Sequence, residues 1–415
     1  MLKFWSCVAI GVMAIRVDAQ TESDWPQFLG PQRNGISAET ELLDSWPENG
    51  PQEMWRVAGG VGMSGLAIRR GRLLTMVQTT GQQRVICLHA KTGKTLWRTP
   101  VAPAYHNGQG KGPRATPTIV DNVVVVFTGE GVLLALRLTD GKILWSHDSV
   151  KEQGGQPAAY GMSCSPLVVA NKAIVTVGAP AATVVAYDLK SGNLAWKAGQ
   201  GEAPGYSSPT LLDVDDQQQV ILTTGGSVLG LVPETGKMLW RYPYPTDFNC
   251  NIATPVAFNG QVFISAGENH GSVLLQLLSD GERFEPFEVW SSLGTKSVLR
   301  NEWQTSIFID GYLYGFDNVG AAGPVTHLTC IDAASGERAW QVPRFGKGNL
   351  IAADGKLFIS TIQGELVLVT ATPGGYEELG RATVMGATRQ APALSAGLLY
   401  LRDDREIVCW QVREK

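Results

Sequence analysis

Charge is scarce in this chain. Asp, Glu, Lys and Arg make up 17% of its 415 residues, while 44% are hydrophobic. That balance excludes an intrinsically disordered chain, which has too little apolar surface to fold. A basic excess is also missing: 34 Lys and Arg face 38 Asp and Glu, a formal net charge of -4. Bulk nucleic-acid binding needs a cationic footprint, so nucleic acid is not an expected partner. Only five histidines and six cysteines are present. The cysteines are too widely spaced for a metal clamp, and Cys-x-x-Cys-His and His-Glu-x-x-His are both absent. No Gly-x-Ser-x-Gly elbow marks a nucleophile. Gly108-Gln109-Gly110-Lys111-Gly112 lacks the spacing of a phosphate loop and leads into no helix, so it reads as a flexible loop.

The one long apolar run lies at the start. Lys3 supplies a positive n-region, Phe4 to Ile15 an apolar h-region, and Val17-Asp18-Ala19 small residues at a cleavage position. Residues 1–19 therefore read as a secretory signal, with an uncleaved anchor as the alternative. No later run is long enough to cross a bilayer as a helix. The expected location is periplasmic or secreted. Cys87, Cys164, Cys250, Cys330 and Cys409 would remain, and they read as buried small hydrophobes.

Against these shortages stand 48 glycines and 12 tryptophans. Seven tryptophans recur at a near-constant interval: Trp55, Trp97, Trp145, Trp196, Trp240, Trp290 and Trp340. The steps are 42, 48, 51, 44, 50 and 50 residues. Five of them follow a hairpin glycine by four positions, as in Thr92-Gly93-Lys94-Thr95-Leu96-Trp97. Between them, short β-rich runs alternate with turn chemistry. In residues 115–145, Asp121-Asn122, Gly129-Glu130-Gly131 and Asp140-Gly141 separate four such runs. A period of 40–50 residues with four short strands predicts an all-β fold, a β-propeller of four-stranded antiparallel blades. The repeated tryptophans are expected to wedge between blades as structural docking residues.

Eight first-strand openings predict eight blades, with seven plus an irregular insert as the alternative. The last unit stops after three strands near Val412. Residues Gln52 to Val57, holding Trp55, can supply its missing outer strand and remove the open edge. The chain thus divides into a signal (1–19), an N-terminal arm (20–50) expected to pack on the ring, and the propeller (51–415).

The run Ala186-Tyr187-Asp188 through Ser191-Gly192 to Trp196 resembles the pyrroloquinoline quinone (PQQ)-type propeller repeat. Over nearly its whole mature length the chain resembles PQQ-like β-propeller proteins of the quinoprotein alcohol dehydrogenase-like superfamily. The resemblance implies one of two branches. Quinoprotein dehydrogenases use PQQ and Ca2+ to oxidise alcohols or sugars. Non-enzymatic propellers include the BamB-like subunit of the outer-membrane β-barrel assembly machine. The first branch is usually longer, and many members carry a vicinal disulfide; here no two cysteines are adjacent. The BamB-like branch is therefore favoured, with no cofactor and no metal expected. Asp247-Phe248-Asn249 and Asn301-Glu302 are the candidate oxygen ligands for the alternative, and each also reads as a turn cap.

A site, if present, is expected where the connections between blades converge on one end of the channel. Arg114, Tyr160, Ser163, Tyr206, Ser207, Asn251, Arg300, Gln304, Asn349 and Arg389 are the candidate ligand-binding residues there. They would form a polar, arginine-bearing mouth for a small anionic or hydroxylated ligand or a protein partner. The plainer alternative is that these side chains are polar only because they line a wet channel. No catalytic residue is legible.

Overall fold

A computed structural model describes residues 23–281 and 283–414; the expected signal lies outside them. Thirty-two strands form eight four-stranded antiparallel sheets, with three single-turn 3₁₀ segments and no other helix among the described residues. Blades 1 to 7 span residues 67–103, 118–148, 167–198, 210–243, 256–293, 307–342 and 348–383. Blade 8 joins Ala393–Ser395, Leu398–Arg402 and Glu406–Gln411 to the N-terminal strand Gln52–Ala58. That strand pairs antiparallel with the last, Gln52 opposite Gln411 and Ala58 opposite Glu406. The eight-blade count and the predicted seam are both present.

The strands follow their burial. Second and third strands are covered on both faces and read as unbroken apolar runs, such as Val123–Phe127 and Glu365–Thr370. Outer strands keep one face in water and alternate, as in Leu194–Ala198. The core is divided between the blades. One apolar cluster, for example, joins Val125 and Leu133 of blade 2 to Val175 and Val185 of blade 3.

The tryptophans dock as their spacing predicts. Trp55, Trp97, Trp145, Trp196, Trp290 and Trp340 each donate the indole N–H to a carbonyl of the next blade, at 2.8 to 3.0 Å. In the first and fourth of these contacts the hairpin glycine of the next blade lies beneath the ring. A Cβ on Gly93 would come 2.8 Å from Trp55, and one on Gly236 2.5 Å from Trp196. Trp240 departs from this and donates to Gln219 Oε1 of its own blade at 2.7 Å. The third and fourth strands of blade 5 run on past the usual turn, pairing as far as Ser279 and Phe284, so the short turn that receives the indole elsewhere is absent there.

The cysteines share this logic. Cys87, Cys330 and Cys409 each lie directly opposite a docking tryptophan on the neighbouring strand, where blades 2 and 3 carry Ala135 and Ala186. Four of the five thiols are buried and Cys250 is half-exposed. Burial pushes Cys87, Cys330 and Cys409 up to about 12 and Cys250 up to about 11. At pH 8 a thiol reagent should therefore label the native protein at Cys250 alone, and slowly, since little thiolate is present. Urea should release the other four. Fast labelling at two or more sites in the native state would contradict this placement.

The arm does more than lie on the ring; it enters the channel. Trp25 pairs with Ile68 of blade 1 by two backbone bonds, and Pro26 accepts from Ile119 of blade 2. Arg33 reaches blades 3 and 4. Ser37 and Gly35 bond Ala352 of blade 7, and Glu39 accepts from Ala396 and Gly397 of blade 8. The backbone contacts fall at the middle or far end of the innermost strands, while Arg33 reaches up to the residues just before the inner strands of blades 3 and 4. A cavity of about 420 Å³ remains between residues 31–34 and blades 4 and 5. Farther along, Trp46 packs where blade 7 lacks its tryptophan. Gly380 stands in that position, opposite Leu368, and a Cβ there would meet Trp46 at 2.6 Å.

Candidate functional site

With the arm across one end, the loop-bearing end opens into a blind well of about 520 Å³. Trp25, Phe28 and Leu29 of the arm contribute to its lining, together with Leu66 and Leu350 at the starts of two inner strands. Trp25 is only 2% exposed. Tyr160 and Tyr206, from the loops before blades 3 and 4, stack at 5.5 Å on one wall. Trp303, before blade 6, lies on another. Phe248 stands at the rim, 71% exposed. Its backbone φ of 58° holds it in the left-handed region, inside the turn that follows blade 4.

Six of the ten predicted residues come together in this well: Arg114, Tyr160, Ser163, Tyr206, Asn349 and Arg389. The other four do not. Ser207 is turned into the wall, where its hydroxyl donates to Thr223 O at 3.1 Å. Asn251 donates to Thr224 O and Tyr244 O. Gln304 donates to Phe316 O. All three are at least 95% buried. In each case the residues on either side line the well instead: Tyr206 and Ser208, Cys250 and Ile252, Trp303 and Thr305. Successive side chains of extended backbone point to opposite sides, so a choice one residue out points into the protein. Arg300 is buried in a bidentate ion pair with Asp317, Nε to Oδ1 at 2.7 Å and Nη2 to Oδ2 at 2.8 Å.

The charged groups of the well are largely occupied by the protein. Arg114 donates to Tyr160 O, Gly112 O and Gly110 O and stacks on Tyr105 at 4.6 Å. Burial lowers its pKa, yet it stays a cation that clamps two loops. Lys347 Nζ holds Glu302 at 2.6 Å and lies 4.5 Å from the centre of the Trp303 ring. Arg389 sits over the same ring at 5.7 Å and donates to Gln109 O. Burial raises the Glu302 carboxyl above its usual range, and Lys347 opposes that rise. Glu268 accepts from the backbone of Ala322. Burial pushes the Tyr206 phenol up to about 12, so it stays protonated at neutral pH.

A Ca2+ and quinone site needs several oxygen donors free to converge. The residues present do not fit that need. Asn301 Oδ1 accepts from Ser306 and its amide donates to Phe316 O. Glu302 is held by Lys347. Asp247 and Asn249 shape a turn, in which Cys250 N–H donates to Asp247 O. Among the described residues no three His, Cys, Asp or Glu side chains group closely enough to hold a metal ion.

Sequence reasoning missed Trp25, Phe28, Trp303 and Lys347 as lining or supporting groups of the well. The arm carries no repeat that would have placed it there. Trp303 was legible only as a loop residue beside Gln304.

Ring and well together define a closed, eight-bladed PQQ-like propeller with one blind pocket at its loop end. The chain belongs to the family described as outer membrane protein assembly factor BamB, which matches residues 45–208, 156–342 and 324–412. It is 26% identical over 323 residues to the outer membrane protein assembly factor BamB of Salmonella typhimurium, across 77% of this chain and 78% of that one. It is 28% identical over 197 residues to a tetrathionate hydrolase of Acidithiobacillus ferrooxidans, across 43% of this chain and 36% of that one. Among solved structures, a europium-containing methanol dehydrogenase superposes with a TM-score of 0.69 at 15% identity, covering 92% of this chain and 89% of the other. BamB from Moraxella catarrhalis superposes with a TM-score of 0.60 at 15% identity, covering 88% and 98%. At those identities the likeness is one of fold.

Proposed function

We propose that the protein is an exported binding or scaffold module, acting in the periplasm or outside the cell. It engages a protein partner or a small polar ligand through the loop-bearing end of its channel. The observation that carries this reading is the blind well, walled by seven of the inter-blade loops and closed below by the chain's own arm. Membership of the BamB family supports a role in assembly and binding. The quinoprotein alternative receives no support from the donor set, because Asn301 and Glu302 are bonded within the protein and Asp247 and Asn249 lie in a separate short turn. The hydrolase likeness covers less than half of the chain and carries no argument of its own.

The test places a photo-crosslinking residue at Phe248 on the rim or at Leu144 on the outer strand of blade 2, in cells that make the protein. Phe248 should give a discrete adduct and Leu144 none. Adducts from neither position, or equal adducts from both, would sink the partner reading. Titration with PQQ and Ca2+, followed by absorbance and dye-linked oxidation, should show no saturation. Saturable binding with turnover would restore the dehydrogenase reading.

A further inference from the structure

Thr116, Ser165, Ser208 and Thr305 sit at the starts of the inner strands of blades 2, 3, 4 and 6 and all line the well. Each is more than 90% buried. Each hydroxyl oxygen accepts a backbone N–H from the preceding blade. Gly65 donates to Thr116 at 3.1 Å, Thr116 to Ser165 at 3.0 Å, Ser165 to Ser208 at 2.9 Å, and Thr254 to Thr305 at 3.1 Å. None of the four donates its own proton to another described residue. A hydroxyl has one proton to give, so a belt of four unspent donors faces the cavity. A buried donor left unmade is unfavourable, and a ligand rich in oxygen would satisfy them.

The other side of the well carries most of its apolar lining, interspersed with Asn349, Arg389 and Gln390. Met63, Leu66, Leu350, Ala391 and Pro392 come from blades 1, 7 and 8. The ligand must therefore carry hydroxyl or ether oxygens on one edge and C–H surface on the other. The well offers it aromatic surface in Phe28, Tyr160 and Trp303, with Trp25 nearly buried beneath. Charge adds a further limit. Arg114, Lys347 and Glu302 are engaged with protein groups, so little unpaired charge is left for an ionic ligand. A long acyl chain would leave the belt unpaired, and an anion would meet Glu268 and Glu302 beside Arg114 and Arg389, whose donors are already directed at backbone carbonyls. A cavity of about 520 Å³ is of the size that holds one small molecule.

We propose that the well binds a neutral pyranose sugar of about disaccharide size, its ring faces on the aromatic side chains and its oxygens on the hydroxyl belt. This rests on the binding-module reading and names its ligand class. The test titrates the full mature chain with maltose, cellobiose and N,N′-diacetylchitobiose, following tryptophan fluorescence and heat. At least one should saturate, with Kd about 1 mM or tighter. Ser208→Ala and Phe28→Ala should each weaken it about tenfold or more. Ser208→Ala also removes a backbone partner, so Phe28→Ala, with an unchanged unfolding midpoint, keeps the test independent of folding. No saturation by any of the three up to about 20 mM, or binding unaffected by both substitutions, would overturn the proposal. A rim-specific crosslinked partner with no sugar binding removes the sugar alone. Loss of both removes the binding module itself.

Discussion

Replacing Asp317 by Ala should destabilise the protein by about 3–5 kcal/mol, the usual result of stranding one member of a buried ion pair. Arg300 and Asp317 are 4% and 1% exposed at their side chains. The pair is also tied into the backbone. Arg300 N–H donates to Asp317 Oδ1 at 3.1 Å, and Arg300 Nη1 to Thr295 O at 2.9 Å. Without the carboxylate, the buried guanidinium keeps only its bond to Thr295 O, and the segment 295–304 loses one of its anchors. That segment presents Glu302 and Trp303 to the well, so binding should weaken together with stability. Urea unfolding with a constant slope would measure the loss. Arg300→Met combined with Asp317→Leu should recover much of it, because no charge then stays unpaired. A single-substitution loss below about 1 kcal/mol would mean that water reaches the pair, as it does at exposed ion pairs.

Arg33→Ala should release the arm. Its guanidinium donates to Pro209 O at 2.7 Å, Pro166 O at 3.1 Å and Ser165 O at 2.9 Å, with Gln27 Oε1 also within 3.2 Å. Burial lowers its pKa to about 10, so the cation is retained at neutral pH without a carboxylate partner. Three buried carbonyls would lose a charged donor, a loss of about 3 kcal/mol or more. The expected signs are a red shift in tryptophan emission as Trp25 meets water, and proteolytic cleavage within residues 23–45 while the ring stays intact. A variant that keeps native emission and resists protease would show that the other arm contacts suffice. Arg33→Lys should rescue only in part, since one ammonium cannot match the three directions of the fork.

The ring was legible because its determinants repeat. Glycine under an indole, four residues before the tryptophan, is a local constraint, and its copies name the blades one by one. Even the exceptions follow from chain chemistry. Trp240 lacks the usual acceptor because the hairpin of blade 5 is longer, running on to Ser279 and Phe284. The well was legible only to the level of the loops. Arg114, Tyr160 and Tyr206 were found because loops before the first strands must face the channel. Ser207, Asn251 and Gln304 were each one position out, since a loop sequence without alternation does not say which neighbour faces inward. Arg300 looks like a binding residue until Asp317, seventeen residues on, is seen beside it. The arm was least legible of all. Its contacts with blades 1, 2, 3, 4, 7 and 8 depend on where the inner strands end, which no local pattern in residues 23–50 records. Trp46, filling the space above Gly380, is a long-range complement to a gap that the repeat alone would reveal only as a missing tryptophan.

The seam of blade 8 sets an order of events. Synthesis makes Gln52–Ala58 well before its partner strand, Glu406–Gln411, which follows only after the other seven blades. Until then the strand has an open edge of unpaired amides, which invites pairing with a neighbouring molecule. Seven blades can form by local hairpins, whereas the eighth waits for the two ends to meet across the whole ring. Nascent chains of this architecture are thus most exposed to misassociation in the interval between synthesis and closure. Holding the first strand apart from other chains during that interval is a task that falls to whatever accompanies the chain as it folds.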